Sequence, residues 1–199
     1  MRQAVLPCLL LAFTAAAVSA QDFTEPKTGV RLPLKSSDGK MVLLGAGVRS
    51  KTFVVKVKVY VASLYVAPEA LAKHKGKPPA PELYSELVWG DFPKEIVLRF
   101  VRNVGKGRIQ DAMREALPGA DKALTDQFVS YFPEVKEGQE CVLRWGAGGV
   151  LETIMAGEKR PAIDNKAFAA AVFGIFLGEK PIQEDLKQAL VARVGEVLK

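Results

Sequence analysis

Residues 52–66 (TFVVKVKVYVASLYV) limit the choice of fold more than any other segment. They are rich in Val, Tyr, Phe and Thr, which suit a pleated, half-buried surface, and Lys56 and Lys58 alternate with Val55, Val57 and Val59. A two-residue period puts Lys56, Lys58 and Tyr60 on one side and Val55, Val57, Val59 and Val61 on the other, unless a bulge intervenes. The run is long for a single strand, so a bulge or a hairpin near its start is expected. Residues 41–44 read as a short strand ending at Gly45-Ala46-Gly47. Residues 95–101 (EIVLRFV) read as another, and residues 140–145 and 150–155 as a pair joined by Gly146-Ala147-Gly148-Gly149, a hairpin signature.

Helical patterns fill the rest. Residues 105–117 and 122–132 predict two helices divided by Pro118-Gly119. Residues 165–177 carry Phe168, Val172, Phe173, Ile175 and Phe176 at helical spacing, with alanines that let a helix lie close to a sheet. Gly178 ends that helix, and after Pro181 a last amphipathic helix runs through Leu186, Leu190, Val194 and Val197. Residues 68–71 predict a short helix, and residues 73–81 a solvated loop with His74 at the surface. Strands and helices are grouped instead of alternating, which predicts an α+β fold with an antiparallel sheet.

The 199 residues, 49% hydrophobic and 25% charged, suit one domain with a real core. Residues 1–20 read apart from it. Arg2 precedes an uncharged apolar run at 4–18, and Val18-Ser19-Ala20 resembles a small-x-small cleavage site. The expectation is a secretory signal at 1–20, a single domain at 21–199, and a periplasmic or secreted protein with no membrane span after cleavage. Cleavage also removes Cys8, so no internal disulfide can form. Cys141, in the apolar pattern Cys141-Val142-Leu143, reads as a small buried hydrophobe. One histidine removes most zinc and triad chemistry, and no metal site is expected. A net charge of +6 without long Lys/Arg blocks gives no nucleic-acid footprint. Gly45-Ala46-Gly47-Val48-Arg49-Ser50 starts like a dinucleotide loop but has Ser50 in place of its third glycine, and strand pattern follows it. No cofactor is expected.

Two segments together resemble the chalcone isomerase superfamily. One is Gly45-Ala46-Gly47-Val48-Arg49 followed by Lys58-Val59-Tyr60-Val61-Ala62-Ser63-Leu64-Tyr65-Val66. The other is Asn165-Lys166-Ala167, then Phe176-Leu177-Gly178-Glu179, then Asp185-Leu186-Lys187. The resemblance implies an open-faced β-sandwich, a large antiparallel sheet covered by helices with a ligand cleft between them. It spans plant isomerases, fatty-acid binders and exported bacterial members, and this chain looks like an exported member of the noncatalytic branch. Arg49 matches the family's cleft arginine, an always-charged fork of donors suited to an anionic oxygen. Tyr60 stands where the isomerases have a catalytic Thr, as in the fatty-acid binders. Other isomerase polar positions fall near Gly105 and Ala112 and on Ile175, which removes the means to orient a polyphenol. The implied function is binding of a small amphipathic anion such as a fatty acid, with Arg49 and Tyr60 at the head group and Ile175, Phe173 and Phe176 along the apolar wall. The rival is an isomerase acting on a chalcone or similar unsaturated carbonyl compound, with Arg49 stabilising the oxyanion. The sequence names no protein partner.

Overall fold

A computed structural model describes residues 22–52 and 55–198. The expected signal at 1–20 lies outside the described residues. Strands β1 (Asp22–Thr24) and β2 (Arg31–Pro33) form a small ribbon. The main sheet has seven strands: β3 (Val42–Thr52), β4 (Lys56–Val66), β5 (Lys94–Phe100), β6 (Glu140–Trp145), β7 (Val150–Met155), β8 (Glu158–Lys159) and β9 (Ile163–Asp164). They pair antiparallel in the order β3-β4-β5-β6-β7-β8, and β9 also pairs with β7. The sheet stays open.

The long apolar run resolves as the expected hairpin near its start, with β3 ending at Thr52 and β4 beginning at Lys56. One expectation needs correcting here. Gly45-Ala46-Gly47 is not a turn that ends a short strand; β3 continues through it for its full length. The glycines serve close approach, because the C-terminal segment lies across them. A Cβ on Gly45 would sit 2.2 Å from the carbonyl oxygen of Ala189, and one on Gly47 would sit 2.6 Å from the Ala189 Cβ. Register shifts at Leu43/Gly45 and Arg49/Ser50 mark two bulges. The second decides the site. Arg49 pairs with Tyr60 but Ser50 pairs with Lys58, so Val59 is the extra residue and the alternation resets there. Tyr60 therefore leaves the side of Lys56 and Lys58 and faces the helices with Ala62, Leu64 and Val66.

Helices α1 (Pro81–Trp89), α2 (Lys106–Glu115), α3 (Lys122–Ser130), α4 (Lys166–Leu177), α5 (Glu184–Ala189) and α6 (Val194–Val197) complete the chain. Helix α4 is buried almost all round, with Phe168, Val172, Phe173 and Phe176 in the core, and Asn165 Oδ1 caps it by accepting from Phe168 N at 2.9 Å. The last amphipathic helix is broken in two at Leu190, and Arg193 fastens the break to β3 by donating to the carbonyls of Leu44 and Leu43, both at 3.0 Å. Helix α1 has no counterpart in the sequence reading. Proline residues that suggest a loop end in Pro81 at the first helical position, where its missing N–H costs nothing. His74 is likewise not at the surface. It is buried at the end of a 3-10 helix (Pro68–His74), with Nε2 2.6 Å from Glu86 Oε2 on α1. Cys141 is fully buried, and burial pushes its thiol far above the usual range.

The other sheet face is partly covered by the β1–β2 ribbon, where Leu32 packs on Leu43, Val48, Val61 and Tyr65. The rest carries cross-strand ion pairs. Glu95 faces Arg144 at 2.8 Å and Arg99 faces Glu140 at 2.6 Å, each pair in direct register. A face laced with opposite charges has no need of a second full layer.

Candidate functional site

A cleft of about 740 Å³ opens between the sheet and the helices, at the end where β4 begins and β5 finishes. That volume is within the range of small-molecule sites, about 300–1,000 Å³. Its floor is a single cross-strand row. Arg49 on β3 pairs with Tyr60 on β4, and Tyr60 pairs with Phe100 on β5, whose ring meets the tyrosine edge-on at 5.7 Å between centroids. Val57 and Val59 extend the floor; Ile109 and Met113 on α2 and Ile175 on α4 form the apolar walls.

The guanidinium of Arg49 is half-buried and held from one side. Gln183, just ahead of α5, accepts from Arg49 Nη1 at 3.0 Å and from Ser50 N at 2.9 Å through the same oxygen. Its amide nitrogen donates to Val48 O at 3.0 Å and to Asp185 Oδ1 at 2.6 Å. Arg49 also donates to the carbonyl of Ser50. These bonds use Nη1 and leave the rest of the fork available to a ligand. Tyr60 is buried, and its hydroxyl makes no hydrogen bond of good geometry among the described residues, with the Arg49 guanidinium as its nearest polar influence. Burial drives its acidity far down, outweighing the opposing pull of Arg49, so the phenol stays neutral and is a donor at any physiological pH. A buried hydroxyl without a partner costs about 1–3 kcal/mol, which an anionic acceptor would recover.

The structure brings together three of the five expected site residues: Arg49, Tyr60 and Ile175 all line the cleft. Phe173 and Phe176 do not. Both are fully buried on other aspects of α4, and Phe173 packs edge-on against Trp145 at 5.8 Å, so they belong to the core. Ala112 lines the cleft as an apolar position, whereas Gly105 sits outside the lining as the N-cap of α2. Sequence reasoning missed Gln183 and the cations Lys51, Arg102, Arg108 and Lys180, which also line the cleft. Ile109 and Met113 had a signal in their four-residue spacing on a helix; the cations had none that separates them from solvated surface. Among the described residues no cluster of His, Cys, Asp or Glu could hold a metal ion.

The family model for chalcone isomerase-like proteins matches residues 27–192. The chain belongs to the chalcone isomerase-like family. Chalcone isomerase-like protein 1 of Humulus lupulus is 32% identical over 181 residues, covering 78% of this chain and 82% of that one. Fatty-acid-binding protein 2 of Arabidopsis thaliana is 24% identical over 88% of this chain, which spans about half of that relative (51%). Chalcone–flavanone isomerase of Phaseolus vulgaris is 28% identical, covering 77% of this chain and 82% of the relative. The crystal structure of a fatty-acid-binding protein of Arabidopsis thaliana superposes with a TM-score of 0.77 at 19% identity, over 89% of this chain and 99% of that chain. The open antiparallel sheet with its helical layer is thus the chalcone isomerase-like fold. Both catalytic and binding relatives share it, so the site itself has to choose between them.

Proposed function

We propose that this protein binds a small amphipathic anion, a fatty acid first among the options, with its carboxylate at Arg49 and Tyr60 and its chain along the apolar walls. The observation that carries this reading is the Arg49–Tyr60 pair, a fixed cation beside a buried, unpartnered hydroxyl, opening onto Val59, Ile109, Met113 and Ile175. Burial of a dozen methylenes contributes roughly 10 kcal/mol gross, and a charge-assisted head-group pair adds about 2–3 kcal/mol. Association and chain-ordering costs bring the net to about micromolar affinity. The tail gives strength and the arginine gives orientation. In this reading the protein is exported, with residues 1–20 as the cleaved signal; N-terminal sequencing of the protein from its host should begin near Gln21.

Mass spectrometry of the denatured native protein tests the ligand. Fatty acid should be released from the wild type, and Arg49→Ala should weaken binding of added fatty acid by roughly 30- to 150-fold in titration calorimetry. Equal binding by the variant would remove the assignment. Similarity to a chalcone–flavanone isomerase supports the second reading, turnover of a chalcone. The apolar Ala112 and Ile175 in the cleft argue against it, since they leave few groups to orient a polyphenol. Loss of chalcone absorbance should follow the uncatalysed rate; acceleration that Arg49→Ala abolishes would favour the enzyme.

A further inference from the structure

The mouth of the cleft carries more positive charge than one carboxylate requires. Arg102 follows β5, Arg108 lies on α2, and Lys180 lies between α4 and α5. All three line the opening, all are exposed, and none makes an ion pair or side-chain hydrogen bond among the described residues. They come from three separate segments of the chain that meet at the cleft. The acidic side chains there do not cancel it: Asp111 sits 3.3 Å from Arg114, which leaves Glu115 against the three cations. The β3–β4 hairpin also lines the cleft, through Val57. Two residues nearer the hairpin's tip, Val55 is 66% exposed, one of only two large hydrophobic side chains so exposed among the described residues, and exposed Lys56 follows it. Exposed cations lining the cleft, with an exposed aliphatic side chain on the hairpin that also lines it, match the requirements of an anionic lipid surface, where basic groups meet head groups and apolar groups enter the interface.

We propose that this face docks reversibly on an anionic bilayer, with Arg102, Arg108 and Lys180 on the lipid head groups and Val55 in the interface, so that the cleft opens onto the membrane. The inference rests on the reading of the cleft as a site for an amphipathic anion, a ligand that partitions into bilayers and is scarce in water. No helix of the described residues is long and apolar enough to cross a membrane.

Flotation with vesicles of phosphatidylcholine alone, or with about a third phosphatidylglycerol, tests the proposal on the full chain. Each basic residue near an anionic surface is worth about fivefold in affinity, so the triple variant Arg102→Gln/Arg108→Gln/Lys180→Gln should bind anionic vesicles roughly a hundredfold more weakly than wild type. Val55→Asp should weaken binding independently, and added salt should weaken wild-type binding by screening. The N-terminal apolar run is common to all variants, so the differences report on the mouth. Equal wild-type affinity for neutral and anionic vesicles, or a triple variant that binds like wild type, overturns the docking face. Displacement of a fluorescent fatty acid in vesicle-free solution separates the two readings. Wild type that binds the probe but ignores anionic vesicles loses the docking face and keeps the cleft assignment. Wild type that binds anionic vesicles in a mouth-dependent way but never binds the probe keeps the docking face and loses the fatty acid.

Discussion

Gln183 reaches β3 from a position more than a hundred residues away in sequence and bonds to Val48, Arg49 and Ser50 at once. An arginine on a strand has many rotamers, and ordering it at the moment of binding costs affinity; a side chain already held by an amide oxygen has lost most of that freedom beforehand. Gln183→Leu should therefore weaken fatty-acid binding about 3- to 10-fold with Arg49 intact, and the same change in an Arg49→Ala background should add little, a double-mutant cycle read by calorimetry. Lys94 presents another consequence. It is fully buried, donates to the carbonyl of Gly90, and its ammonium lies 3.8 Å from the Trp145 ring centroid. Burial lowers its pKa to about 7, against a smaller opposing pull from Asp91. The unfolded chain then binds more protons than the folded one between about pH 7 and the usual lysine value, so stability rises with pH across that window. Lys94→Met should flatten the rise and stabilise the protein near pH 7 by on the order of a few kcal/mol, measured by urea titration at several pH values. Of these residues Arg49 was legible, because its motif is local. Gln183 was not, since nothing in one sequence marks a polar side chain that completes its bonds across the fold.

The hairpin of β3 and β4 holds both head-group residues, and its bulge at Val59 turns Tyr60 toward the helices. The lengths and apolar character of these strands were readable from residue type. Their length also called for a bulge or a hairpin, and both occur, but which residue bulges is a matter of pairing register, which only the partner strand reveals. Elsewhere proline and glycine misled in opposite directions. Proline residues hid α1, and the glycines of β3 suggested a turn where the real demand is room for α5. That demand is measurable. Gly45→Ala places a methyl against the backbone of Ala189 and Leu190, which cannot retreat without lifting the C-terminal segment, and should cost about 2–4 kcal/mol in urea denaturation. Gly107→Ala, inside α2 with nothing within 4 Å of the added carbon, should instead stabilise the protein by about 0.5–1 kcal/mol. The last amphipathic helix was legible as an apolar stripe but not as two pieces, because the break is fixed by Arg193 binding β3.

An open sheet with one apolar face under helices, and the other shared between a small ribbon-covered cluster and cross-strand ion pairs, keeps most of its core in one layer, where Cys141 lies with no exposed surface. Its thiol can meet a reagent only when that layer opens. The labelling rate of Cys141, followed by peptide mass spectrometry, should thus track unfolding, and saturating fatty acid should slow it about a hundredfold at a free concentration 100 times Kd. Labelling that ignores the ligand would place binding outside the folded core or remove it. The grouping of elements and the antiparallel sheet could be read from pattern, since burial leaves its periodicity in most strands and helices, whereas the helical layer over that sheet came from the family resemblance. The cleft could not, because its floor and walls meet only after the sheet has formed. The clasp on Arg49, with the α5 segment that lies over Gly45 and Gly47, comes after every described strand of the sheet in chain order. A chain cut before Gln183 would keep the sequence of every described strand but lose the group that holds Arg49 in place, so the arginine's readiness depends on a segment the sheet itself does not contain.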